Sequence, residues 1–265
     1  MAETESEKAR HARAVAYNTA REWGRVPLRY RLAHRARTFQ AAMMLSSGSL
    51  CDGDVGPVIV EAGTIRTPGN WEGDGQSTLV WARWVEKLEV GRVYSFDPDP
   101  AAIAAASRVL AGQEIKYAVF TSGREARCVL SDPMTRADLR VALVQAEAQG
   151  EDGVPSLEDE PINLLYLDAG DYVDGSLRTA AALNRDVFLA AREVLERSGP
   201  WATVLIDDVN LAGTVPGGKG HYVLDELALR GWHRYPFAPG FDYQAVATLG
   251  APEVDPAAKW GVPLA

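Results

Sequence analysis

The stretch "VIVEAGTIRTPGNWEGDGQSTLVW" (58–81) joins two patterns that belong to different secondary structures. "VIVEAG" (58–63) is a β-branched run that ends on a glycine, with an acid near its tip. "QSTLVWARWVEKL" (76–88) carries apolar residues at helical spacing. A strand feeding a helix in this way opens many nucleotide-binding sheets, yet the fingerprint GxGxxG is missing and a long polar loop takes its place. Gly63 lets the backbone approach a ligand. "GDGQST" brings the chain to a helix N-terminus at Ser77, whose unpaired N–H groups suit a carboxylate.

The same alternation continues along the chain. "RVYSFD" (92–97) reads as a strand and "PAAIAAASRVLAG" (100–112) as a helix. "IKYAVFTS" (115–122) reads as a third strand and "TRADLRVALVQAEAQ" (135–149) as a helix. "INLLYLD" (162–168) is apolar enough for a strand buried on both faces, and a long helical pattern spans 176–197. "WATVLIDD" (201–208) gives a fifth strand and "GHYVLDELALRG" (220–231) a helix, before a terminal hairpin from "WHRYPF" and "YQAVATLG". Alternation of this kind predicts an α/β fold: a doubly wound, mostly parallel, seven-stranded sheet with helices on both faces. Residues 1–50 read as a helical extension, 51–250 as the main domain and 251–265 as a tail.

Ligands on such sheets bind beyond the carboxyl ends of the strands. Four of those ends carry acids: Glu61, Asp97, Asp168, and Asp207 with Asp208. Turn chemistry puts some Asp residues at strand ends, but four on one sheet edge is the placement expected around a ligand. Asp97, on the second strand, is placed to accept hydrogen bonds from both hydroxyls of a ribose, although "FDPDP" also offers Asp97 or Asp99 as a helix cap. A ligand with one ribose, one carboxylate and one ammonium fits this set, and S-adenosylmethionine has all three. Glu61 then lies near its ammonium.

The chain has 265 residues, 47% hydrophobic and 24% charged, ordinary values for a globular protein. No apolar run is long enough to span a bilayer, and the charged start is not a secretory signal. Two cysteines, Cys51 and Cys128, suit reduced thiols in a cytoplasm. A net charge of −9 argues against a nucleic-acid partner. The exception is a basic run from Lys8 to Arg37, read as a solvated helix face or as a lid or homo-oligomer contact.

The order of elements, "VEAG", "FDPDP" and the terminal hairpin resemble the class I S-adenosylmethionine-dependent methyltransferases over roughly residues 55–250. "LLYLDAGDY" and "TVLIDDV" resemble the metal-dependent O-methyltransferases of the catechol and macrocin types. That resemblance implies Asp168, Asp207 and Asp208 as Mg²⁺ ligands and Asp171 as general base. It also implies a Rossmann-like methyltransferase fold and a polyhydroxylated small-molecule acceptor, a sugar or a catechol. Hard oxygen ligands from neighbouring strand tips suit Mg²⁺, and adjacent carboxylates there repel unless a cation or a proton intervenes. "NLAGTVPGGKGHYV" (210–223) reads as a flexible substrate gate, with Lys219 and His221 as weaker candidates. Two other readings stay open. "DPD" (97–99) is an Asp-x-Asp, as in a metal-dependent nucleotide-sugar glycosyltransferase, and the irregular glycine motif suits a non-catalytic binding protein of the same fold.

Overall fold

A computed structural model of the chain describes residues 7–23, 35–50, 56–71, 76–113, 115, 118–122, 139–145, 160–170, 177–209, 218–235 and 244–250. In chain order the elements are α1 (Glu7–Trp23), α2 (Ala36–Ser46), β1 (Val58–Ala62), α3 (Ser77–Leu88), β2 (Arg92–Asp97), α4 (Pro100–Gly112), β3 (Ala118–Ser122) and β4 (Val141–Gln145). They continue with β5 (Leu164–Leu167), α5 (Leu177–Arg197), β6 (Thr203–Ile206), α6 (His221–Leu229), β7 (His233–Tyr235) and β8 (Ala245–Thr248). Short 3-10 turns lie at Ser47–Ser49 and Gly218–Gly220.

The strands form one sheet in the order β3-β4-β2-β1-β5-β6-β8-β7. All neighbours from β3 to β6 are parallel, and β8 runs antiparallel between β6 and β7. This is the doubly wound, mostly parallel architecture that the alternation predicts, with an eighth strand, β4, inserted between β2 and β3. Every residue of β1, β5 and β6 is buried because helices cover both faces. Ile59, Val93, Leu164 and Leu205 pack with α2, α3 and α4 on one face. Val60, Tyr94, Leu165 and Val204 pack on the other with Phe188 and Leu195 of α5 and Leu227 of α6.

The eighth strand corrects the reading of 135–149 as a helix. Val141–Gln145 is β4, in parallel register with Val93–Asp97. Its Ala and Gln tilt the local preference towards helix, but Val141, Ala142, Leu143 and Val144 are a short run buried on both faces. Pairing with β2 outweighs so weak a local preference. The strand expected at 115–122 is present as β3, displaced to the sheet's edge by β4.

The start of α4 follows the local chemistry. Asp99 caps α4, its side chain accepting from the Ala101 N–H, and Pro100 occupies the first turn. The part of the N-terminal extension nearest the sheet is built into the core. Phe39 of α2 stacks on Trp81 at 4.7 Å, and both rings meet Tyr166 of β5. Among the described residues no helix is long and apolar enough to cross a membrane.

Strands β2 to β4 lie on one side of β1 and β5 to β8 on the other. The switch point, where such a sheet opens a crevice for ligands, therefore falls between the C-terminal ends of β1 and β5.

Candidate functional site

At that switch point Gly63 follows β1 with φ +94°, and its N–H donates to the Phe96 carbonyl at 2.8 Å. A Cβ there would stand 2.5 Å from the Asp168 carbonyl oxygen. The glycine expected to admit a ligand is thus already required for the two strand tips to meet. Asp97 ends β2 on the other side of β1, 6% exposed. Its carboxylate is aimed by two backbone donors, Thr64 N–H at 3.1 Å and Asp99 N–H at 2.9 Å. Burial raises its pKa, and those donors together with Arg66 oppose the rise. Asp99 is engaged as the α4 cap, and Asp97 is held by the loop.

Glu61 is fully buried on the α3 side of the sheet, opposite Ser95 in register. Its Oε2 accepts from the hydroxyls of Ser95 at 2.5 Å and Thr78 at 2.6 Å. Oε1 accepts no well-formed hydrogen bond, although the Ser77 hydroxyl lies beside the carboxyl. Burial pushes its pKa up to about 7, the hydroxyls pulling down and Asp168 pushing further up. The loop above is stapled down. Thr64 and Thr78 share a hydroxyl contact at 3.0 Å, and Gln76 donates to the Thr67 carbonyl at 2.9 Å. Gln76 begins α3 at φ +50° and makes no side-chain cap, so the expected uncapped N-terminus at Ser77 is present.

The acids of β5 and β6 are joined by two cations that sequence reasoning did not assign to them. Lys219 places its ammonium 2.8 Å from Asp168 and 3.0 Å from Asp208. Arg35, just before α2, reaches Asp207 at 3.6 Å and Asp208 at 3.8 Å. Tyr166 donates its hydroxyl to Asp207 at 2.7 Å. Burial would lower the Lys219 pKa, but Asp168 and Asp208 reverse that and hold the ammonium above its ordinary value. Arg35 is likewise held charged, against burial, chiefly by Asp207. Burial and the neighbouring Asp168 raise the Asp207 pKa, against the pull of Arg35. The repulsion expected between adjacent carboxylates is met by the two cations, and the upward shift of Asp207 acts in the same direction.

Mg²⁺ takes oxygen ligands at roughly 2.1 Å in a near-octahedral shell. Here an ammonium fills the space between Asp168 and Asp208, so this donor set does not fit a divalent ion as it stands. Among the described residues no group of three or more His, Cys, Asp and Glu side chains is disposed to hold a metal.

Lys219 is positioned by its backbone. Its N–H donates to the Asp208 carbonyl at 3.1 Å, and the buried Asn184 of α5 donates to its carbonyl at 3.4 Å. Gly218, at φ +49°, presses directly on the Asp208 carbonyl, where no side chain could stand. The described part of the proposed gate, 218–223, is therefore a docked 3-10 turn followed by the start of α6. His221 lines a small cleft with Leu177, Arg178, Ala181, Gly218 and Tyr222, between α5 and α6. Asp171, the expected base, and residues 210–217 lie outside the described residues. Lys219 was a weaker candidate in the sequence, a lysine among glycines beside an acidic pair, but its pairing with Asp168 and Asp208 was not foreseen. Arg35 had no signal, since nothing local ties it to the β6 tip.

No protein-family model matches the chain, and no curated protein matches it. Among solved structures it is similar to an SAH-bound methyltransferase from Podospora anserina, at 14% identity over 93% of this chain and 97% of that one, with TM-score 0.43. It is also similar to a SAM-dependent methyltransferase from Aquifex aeolicus (12% identity, 88% and 96% covered, TM-score 0.42). A third is an rRNA methylase from Streptococcus thermophilus (12% identity, 81% and 97% covered, TM-score 0.42). Likenesses this distant assign no role to any residue here.

Proposed function

We propose that the chain binds S-adenosylmethionine at the β1–β2 tips and transfers its methyl group to a hydroxyl oxygen of a small molecule. The observation that carries this reading is Glu61. A carboxyl buried among hydroxyls, with one oxygen lacking a donor and its pKa raised, costs stability that a cationic ligand would offset. The methionyl ammonium is such a cation. Because Glu61 is fully buried, the ligand reaches it only when the residues packed over it, Thr78 of α3 among them, give way.

The other groups suit the remainder of the molecule. Asp97, already oriented by Thr64 and Asp99, takes the ribose hydroxyls. The uncapped N-terminus of α3 at Ser77 takes the carboxylate. When bound, the cofactor supplies an electrophilic methyl group for in-line displacement. The protein aligns the acceptor oxygen and removes its proton, with Asp171 as candidate base. A polyhydroxylated acceptor, a sugar or a catechol, suits an acidic protein better than a nucleic acid does.

Calorimetry with S-adenosylhomocysteine near neutral pH, in two buffers of different ionisation enthalpy, tests this reading. Binding is expected to release a fraction of a proton, because the ammonium draws Glu61 into its charged form. Asp97→Ala is expected to weaken binding roughly ten- to a hundredfold. If S-adenosylhomocysteine neither binds nor raises the melting temperature, the reading fails and a non-catalytic role takes its place.

A further inference from the structure

We infer that this site carries its cation within the chain: the ammonium of Lys219, seconded by the Arg35 guanidinium, holds the place between the β5 and β6 acids that a divalent metal would take. The inference concerns the acid cluster alone and stands whether or not a cofactor binds at the β1–β2 tips.

Three observations carry it. Lys219 is 3% exposed and contacts Asp168 and Asp208 together, bridging two adjacent strands as a shared metal would. Its position is imposed from the backbone, through the bond to the Asp208 carbonyl, the close packing of Gly218 and the Asn184 clamp. Gly220 adds to this, since a Cβ there would meet Val209 at 2.7 Å and Ile206 at 2.9 Å. Lastly, three carboxylates face two fixed cations and the donated Tyr166 hydroxyl, so little negative charge is left for an ion to neutralise.

The competition favours the side chain. A tethered ammonium gives up no translational freedom on pairing, whereas Mg²⁺ must shed tightly held water to gain carboxylates that are already occupied. Removing either the buried lysine or the buried arginine would strand acids in a dry site.

The test titrates Mn²⁺ as probe, by water-proton relaxation, into the full-length protein. The parent chain is expected to show no saturable binding at millimolar metal, and no change in melting temperature with EDTA or excess Mg²⁺. Lys219→Met, which uncovers Asp168 and Asp208, is expected to melt lower, to bind Mn²⁺ at least about tenfold more tightly than the parent, and to regain part of its melting temperature with Mg²⁺. Saturable Mn²⁺ binding to the parent that Asp208→Asn abolishes would overturn the inference. So would a folded Lys219→Met that matches the parent in both metal affinity and melting temperature. The titration of the parent decides the matter by itself if Lys219→Met does not fold.

Discussion

Glu61 shows how one side chain links folding to function. Its carboxyl has an ordinary value of 4.5 and is held at about 7 by burial. Below the lower value it is neutral in folded and unfolded chains alike and contributes nothing to pH dependence. Between the two the unfolded chain has lost the proton that the folded chain keeps, so stability falls as pH rises. Above the upper value the full cost stands, roughly 3 kcal/mol. Glu61→Gln is expected to remove this slope while keeping the shape of the side chain. Urea unfolding at about pH 5 and about pH 8 measures it, and an unchanged slope in the variant would assign the pH dependence to other groups. An acid near a strand tip was legible in "VIVEAG"; that it is buried and lacks a donor on one oxygen was not. Burial depends on α3 closing over it, which no local pattern states.

Among the elements, α5 has a role its amphipathic pattern hides. Asn184 sits on its buried side, accepts from the Ala169 N–H at 3.0 Å and donates to the Ala169 carbonyl at 3.2 Å. The same amide donates to Lys219, so one side chain ties the β5 tip to the 218–220 turn. Asn184→Leu would leave the Ala169 backbone unpaired in a dry setting. The expected loss is about 1–3 kcal/mol, with faster amide exchange at residues 169 and 219 than elsewhere in the sheet. Slower or unchanged exchange there would show that Gly218 packing and the Lys219–Asp208 backbone bond hold the turn without Asn184. The β4 segment makes the complementary point. Its residues read as helix on their own and become a strand because β2 offers a parallel partner in register.

For the whole molecule, the packing of α2 makes the N-terminal region part of the fold. Phe39 packs against both Trp81 and Tyr166, joining α2 to α3 and the sheet, and Arg35, immediately before α2, arrives in the acid cluster. Phe39→Ala is expected to destabilise by about 3–5 kcal/mol. Removing residues 1–50 is expected to abolish cooperative unfolding. A truncated chain that still unfolds in one sharp transition would show that the sheet closes its core without α2. The sequence by itself determined the succession of strands and helices except at β4, the Asp99 cap and the acids along one edge of the sheet. Those features depend on residue order, periodicity and turn chemistry, which act over a few positions. Only the tertiary structure decided that β4 enters beside β2, that Gly63 lies on the Asp168 backbone, and that Lys219 and Arg35 neutralise the β5 and β6 acids. Each depends on contacts between segments distant along the chain, and charge pairing of that kind leaves no period to read.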